Sequence, residues 1–127
     1  MKFEIKDDLL YLPITIFYDR EITLTGIIDT GSAGTVVEVD DISIDLLSRD
    51  GRPIRMIGVG GIQEGFAQTL SRVSIGEFSV KDFEVEFSNL KEDFGFDAII
   101  GSNLLKAMGA VIDYTNCEIT FQKMIRF

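Results

Sequence analysis

A mostly β domain with one or two short helices is the fold class that this 127-residue sequence predicts, and three observations predict it. Short β-branched and aromatic runs alternate with turn residues along almost the whole chain. Apolar residues recur at every second position within those runs, the period of a strand with one buried face. Turn-forming residues separate the runs, as at Asp19-Arg20, Gly76-Glu77 and Tyr114-Thr115-Asn116.

The elements follow in order. Leu9 to Tyr18 and Glu21 to Asp29 read as a hairpin turned at Asp19-Arg20, with Ile14 and Ile16 facing one way and Ile22 and Leu24 matching them. Thr35 to Val39 is a further strand. Asp40 to Ser48 predicts a short helix, with an aspartate cap ahead of Ile42, Leu46 and Leu47. Arg52 to Ile57 and Ile62 to Ile75 form two arms around a glycine-rich tip, and Gly76-Glu77 turns the chain again. Phe78, Val80, Phe83, Val85 and Phe87 make an apolar ladder whose phase shifts near Lys81-Asp82, the pattern of a bulge. A polar loop spans Ser88 to Gly95. Asn103 to Met108 fits a single short helix closed by Gly109. Ala110 to Asp113 and Cys117 to Phe121 read as a last hairpin turned by Tyr114-Thr115-Asn116.

The length fits one domain covering 1–127, and a chain that is 46% hydrophobic and 26% charged has the composition of a folded globular unit rather than a disordered one. A net charge of -9 without a Lys/Arg cluster argues against nucleic acid as a partner. There is no apolar run of signal-peptide or membrane-spanning length, so the expected location is cytoplasmic with no membrane partner. Cys117 is the single cysteine, which excludes an intrachain disulfide and a cysteine metal cluster. With no histidine, imidazole-based nucleophile schemes and the usual zinc sites are excluded as well, and neither a metal nor another cofactor is expected. If the protein hydrolyses anything, carboxylates are the agents.

One carboxylate stands out. Ile27-Ile28-Asp29-Thr30-Gly31-Ser32 delivers an acid at the end of an apolar strand and turns sharply after it, with hydroxyls on either side of the glycine. Alone, such a triplet is an ordinary strand-ending turn. Two other segments stand in order behind it. Met56-Ile57-Gly58-Val59-Gly60-Gly61-Ile62 is a glycine-rich tip with apolar flanks. Phe96-Asp97-Ala98-Ile99-Ile100-Gly101-Ser102-Asn103-Leu104-Leu105 is an apolar strand that ends in glycine and runs into the short helix.

In that order the three segments resemble the retropepsin-like aspartic peptidases, the family of the retroviral proteases and their cellular and bacterial relatives. The likeness runs from the first hairpin to the last strand. It implies a single-lobe acid-protease β-barrel with a flap hairpin. It identifies Asp29 as the catalytic residue, with Thr30, Gly31 and Ser32 supporting its loop. Ile57, Gly58, Val59, Gly60, Gly61 and Ile62 become the flap that covers substrate, and Asp97, Ile99, Ile100 and Gly101 the second signature, where Asp97 is structural and the Ile-Ile-Gly segment supports the loop.

In this family two aspartates hold one water and share one proton, because neighbouring like charges do not both ionise easily. The sequence has one Asp-Thr-Gly, so the resemblance implies a homodimer in which each subunit supplies Asp29 to split a peptide or protein substrate. It also implies that Thr30 bonds across the two-fold axis. The alternative is a catalytically silent peptide-binding or assembly module on the same fold.

Two positions depart from the viral pattern. Ala33 and Ser102 stand where many viral members carry an acid and an arginine that pair. Ser32 follows the triplet as in pepsin-like members, and its hydroxyl is expected to stabilise ionised Asp29.

Overall fold

The computed structural model describes residues 1–18, 20–38, 51–58, 61–90 and 95–122. Ten strands and one helix fall within them: β1 (Glu4–Lys6), β2 (Leu9–Phe17), β3 (Glu21–Ile28), β4 (Val36–Glu38), β5 (Arg52–Gly58), β6 (Gly61–Ile75), β7 (Phe78–Ser88), β8 (Ala98–Ile100), α1 (Ser102–Met108), β9 (Ala110–Asp113) and β10 (Glu118–Phe121). The mostly β expectation is met, and the helix expected over Asp40 to Ser48 lies outside the described residues.

Eight strands form one sheet in the order β1-β2-β3-β8-β4-β7-β6-β5, and β2 also pairs with β6. That extra pairing, Thr15 with Ser74 through Phe17 with Arg72, bends the sheet back on itself. A ring β2-β3-β8-β4-β7-β6 results, with β1 and β5 left as flanking edges.

The first hairpin forms as expected, and its register sets Ile14 opposite Leu24 and Ile16 opposite Ile22. Burial alternates residue by residue along β2, so Leu10, Leu12, Ile14 and Ile16 all enter the core. Pro13 interrupts this strand at no cost to the ladder on its outer side. It falls between the residues paired to β1 and those paired to β6, where a missing N–H is tolerated. The core joins these residues to Leu70, Val73, Val85, Phe87, Ile100, Leu104, Met108 and Ile119. Full burial of each large apolar side chain contributes roughly 1.5–3 kcal/mol.

Three local readings are corrected. The phase shift in β7 involves no inserted residue, because Leu70–Phe83 and Arg72–Lys81 hold one continuous register on either side of it. Asp82 absorbs the change instead, in the left-handed region at φ 50°. Aspartate is among the few non-glycine residues that tolerate this conformation. The helix begins at Ser102 rather than Asn103. Cys117 belongs to the turn before β10, at φ 53°, and not to the strand.

The carboxyl-terminal hairpin pairs β9 with β10 as expected. Its outer side is taken by the amino terminus: Ile119 N–H donates to Met1 O, and Phe3 N–H to Cys117 O. No helix among the described residues is long and apolar enough to cross a membrane.

Candidate active site

The site is built where three short strands meet. β8 lies between β3 and β4, parallel to β3 (Ile27 with Ile99, Ile28 with Ile100) and antiparallel to β4 (Val36 with Ile99). Ile27, Ile28, Val36, Val37, Ala98 and Ile100 are all buried, which is why these runs read as continuous apolar stretches. Asp29 is the first residue to emerge from this block. Its N–H donates to Ile100 O at 3.0 Å, so the backbone that carries the acid is held by the strand beside it while the side chain is exposed.

The turn that follows is internally bonded. Gly31 N–H donates to Asp29 Oδ1 at 3.0 Å, and Ser32 N–H to Asp29 O at 3.1 Å. The Ser32 hydroxyl does not serve the carboxylate as expected. It donates to Gly34 O at 2.8 Å, turned inward to tie the loop to itself, and the bond to Asp29 comes from the Gly31 amide. Thr30 and Gly31 are exposed at the tip of the turn.

This loop also caps the helix. Gly101 at the start of α1 has no side chain to cap it, and a helix leaves its first amides without partners. Here the Asp29 loop supplies those partners. Ser102 N–H and its hydroxyl both donate to Ser32 O, at 2.8 and 3.1 Å, and Asn103 N–H donates to Ala33 O at 3.1 Å. Gly101 N–H donates to the hydroxyl of the buried Thr35 at 3.2 Å. Leu104 N–H is taken by Asn103 Oδ1, which also accepts the Thr35 hydroxyl at 2.8 Å.

The approach is close enough to require glycine. A Cβ on Gly101 would collide with the carbonyl of Gly34 and stand 2.9 Å from Ser32 O. At the far end Gly109 adopts the left-handed cap, φ 61° and ψ 51°, and its N–H bonds to Lys106 O.

Asp97 is positioned as a structural residue. Its carboxylate accepts the Thr25 N–H at 2.7 Å, its own N–H donates to Thr25 O, and its carbonyl accepts the Glu38 N–H. It therefore locks β8 between its two neighbours just below Asp29.

The glycine-tipped hairpin is formed, with Ile57 opposite Ile62 and Gly58 opposite Gly61. Val59 and Gly60 lie outside the described residues. The structure brings together Asp29, Ser32, Ile100 and Gly101.

Three residues of the cluster carry weight that sequence reasoning did not give them. Thr35 and Asn103 form the buried clamp between loop and helix. Glu86, on β7, lays its carboxylate against Gly34. Thr35 had a faint signal, a hydroxyl at the entry to an apolar pair; Glu86 had none, since it reads as the outward residue of an alternating strand. Burial, with Glu84 beside it, pushes the Glu86 carboxyl above the usual carboxylate range, against a smaller lowering by Arg52. No protein-family model matches the chain, and no curated protein matches it in sequence.

Proposed function

We propose that the chain is one subunit of a homodimeric aspartic endopeptidase with the single-lobe retropepsin-like β-barrel fold. The observation that carries this reading is the placement of Asp29: an exposed carboxylate at the end of a buried strand, on a loop bonded to Ile100 on one side and to the start of α1 on the other. A mere turn has no need of that second set of bonds. Rigid support of an exposed acid is what general acid and base chemistry requires, because the group must meet its partner and a water at fixed distances.

The departures from the viral pattern also find an answer. Where those members join loop and helix through an ion pair, this chain has Ser102 donating twice to Ser32 O and Asn103 donating to Ala33 O. The same two segments are held by backbone groups, without charge.

In the proposed mechanism, two Asp29 carboxylates face each other across a two-fold axis and share a proton. The ionised one takes a proton from the attacking water. The protonated one gives its proton to the substrate carbonyl oxygen, and the resulting tetrahedral species collapses as the amide nitrogen is protonated. Substrate is an extended peptide, paired along its backbone to the β5–β6 hairpin.

The test is cleavage of a peptide library, from acid to neutral pH, by the protein and by Asp29→Asn, read by mass spectrometry alongside the oligomeric state. Peptides cut by the protein and spared by the variant support the reading. Equal silence from both, in a folded dimer, overturns it and leaves the binding-module alternative.

A further inference from the structure

Gly34 of the Asp29 loop lies beside a charged side chain from another strand, Glu86 of β7. A Cβ built on it would stand 2.7 Å from Glu86 Oε2, 2.8 Å from Cδ and 2.9 Å from Oε1, so the carboxylate lies directly on the Gly34 backbone. Glu86 is anchored in that place by its own main chain. Its N–H donates to Thr35 O at 2.9 Å, and it pairs with Val36 on β4 and Ala67 on β6.

From Gly34 the chain of bonds leads back to the acid. Gly34 O accepts the Ser32 hydroxyl at 2.8 Å, and Ser32 N–H donates to Asp29 O at 3.1 Å. A side chain that pushes on Gly34 therefore pushes on the turn carrying Asp29.

We propose that Glu86 is a positioning residue for the Asp29 loop, and that gain or loss of its proton changes how firmly Gly34 and Ser32 are held. This deepens the endopeptidase reading and rests on it for any effect on cleavage, though not for the effect on the loop.

Burial first, and the like charge of Glu84 second, favour the neutral form, against a smaller opposing effect of Arg52. Glu84, two positions along β7, faces the same side as Glu86, and Arg52 of β5 binds Glu84 at 2.9 Å rather than Glu86. Directly opposite on β6 is Ala67, and on β4 is Val36, neither of which carries charge. Glu38 of β4 has its carboxylate on the Leu90 N–H, the Asp29 carboxylate takes the Gly31 N–H, and α1 contributes a single charged residue, Lys106, in its last turn. The carboxylate lies over the side of Gly34 where a Cβ would stand, a position that offers it no hydrogen bond. When Glu86 is neutral it packs against this backbone; when it ionises, it must draw in water or move away from the loop.

The sign follows from the raised carboxyl of Glu86. The fold holds its proton more tightly than the unfolded chain does, so the stabilisation is fully present below the ordinary glutamate range near 4.5 and is lost as pH rises through the folded value. Acid conditions tighten the loop.

The experiment follows the backbone amide resonances of Asp29, Ser32 and Gly34 through a pH titration. It uses the Asp29→Asn protein, so that no cleavage and no titration of Asp29 enters. Ser32 and Gly34 are expected to share one step with a midpoint above the ordinary glutamate value. That step should vanish in the additional Glu86→Gln substitution, which keeps the shape and removes the titration. Gly34→Ala is the second variant: its new methyl displaces the carboxylate, and the midpoint should fall toward the ordinary value. Ser32 and Gly34 titrating unchanged in Glu86→Gln, or showing no step at all, overturns the proposal. If the step is present in Asp29→Asn while the unsubstituted protein, folded and dimeric, cuts no peptide, the endopeptidase reading falls and this one stands.

Discussion

The hydroxyl of Thr35 donates to Asn103 Oδ1 at 2.8 Å while accepting the N–H of Gly101, so one buried side chain joins the end of the Asp29 loop to the start of α1. Thr35 is fully buried and has no water to replace either partner. Thr35→Val keeps the volume and leaves the Gly101 amide unpaired, at a cost of about 1–3 kcal/mol. Chemical denaturation should show that loss, and Thr35→Ser should recover most of it.

Gly101→Ala tests the close approach of the two segments. The added methyl meets backbone, the Gly34 carbonyl and Ser32 O, rather than the yielding end of a side chain. The loop must then separate from the helix, and a loss of about 3 kcal/mol or more in unfolding free energy is expected. Gly26→Ala is the control. Its methyl would meet Ile100 Cδ1 at 3.0 Å and Ile14 Cγ2 at 3.2 Å, side-chain atoms that can shift, so its cost should be smaller.

Asp29→Asn and Asp97→Ala should separate chemistry from support. The Asp29 side chain is exposed and its one intraloop bond, from Gly31 N–H, can be made to an amide oxygen. Its replacement should alter stability by no more than about 0.5 kcal/mol while abolishing any peptide cleavage. Asp97→Ala removes the acceptor of the Thr25 N–H and should cost about 1 kcal/mol. Asp97→Asn, which retains an acceptor oxygen, should cost less. Thermal unfolding of the three variants checks the order.

The pH dependence of stability should carry two opposed contributions. Asp113, bonded by the side chain and the backbone N–H of Asn116, is held below its ordinary value near 3.8. Its contribution is present above that value and lost as pH falls through the lower, folded one. Glu86 contributes in the other direction, losing its stabilisation as pH rises. Asn116→Ala should return the Asp113 titration toward the ordinary range, as followed by carboxyl carbon resonances, and leave that of Glu86 unchanged.

Much of this is legible in the sequence. The alternation at Ile14 and Ile16, answered by Ile22 and Leu24, marks the first hairpin, and Gly109 marks the helix end, because both signals are local. The adjacency of Ile28 and Ile100 could be anticipated only through the resemblance, since nothing in either run names the other as its neighbour. The Ser32 hydroxyl bonds Gly34 O and not the expected Asp29 carboxylate, because a hydroxyl three residues from a carboxylate can also reach a carbonyl two residues ahead, and the turn geometry decides. The phase shift at Asp82 was seen, but a left-handed aspartate and an inserted residue give the same sequence pattern. Glu86 was invisible for a different reason, because its environment is created by a glycine far away in the chain.

The threading of β8 between β3 and β4 sets the order in which the molecule can be completed. As the chain leaves the ribosome, Asp29 and Val36 emerge early, yet the strand that separates β3 from β4 and the amides that satisfy Ser32 O and Ala33 O arrive only with residues 98–103. Until then the acid sits on a loop with no scaffold. A nascent chain is therefore born without this loop's scaffold, and its assembly is deferred until residues 98–103 have been synthesised.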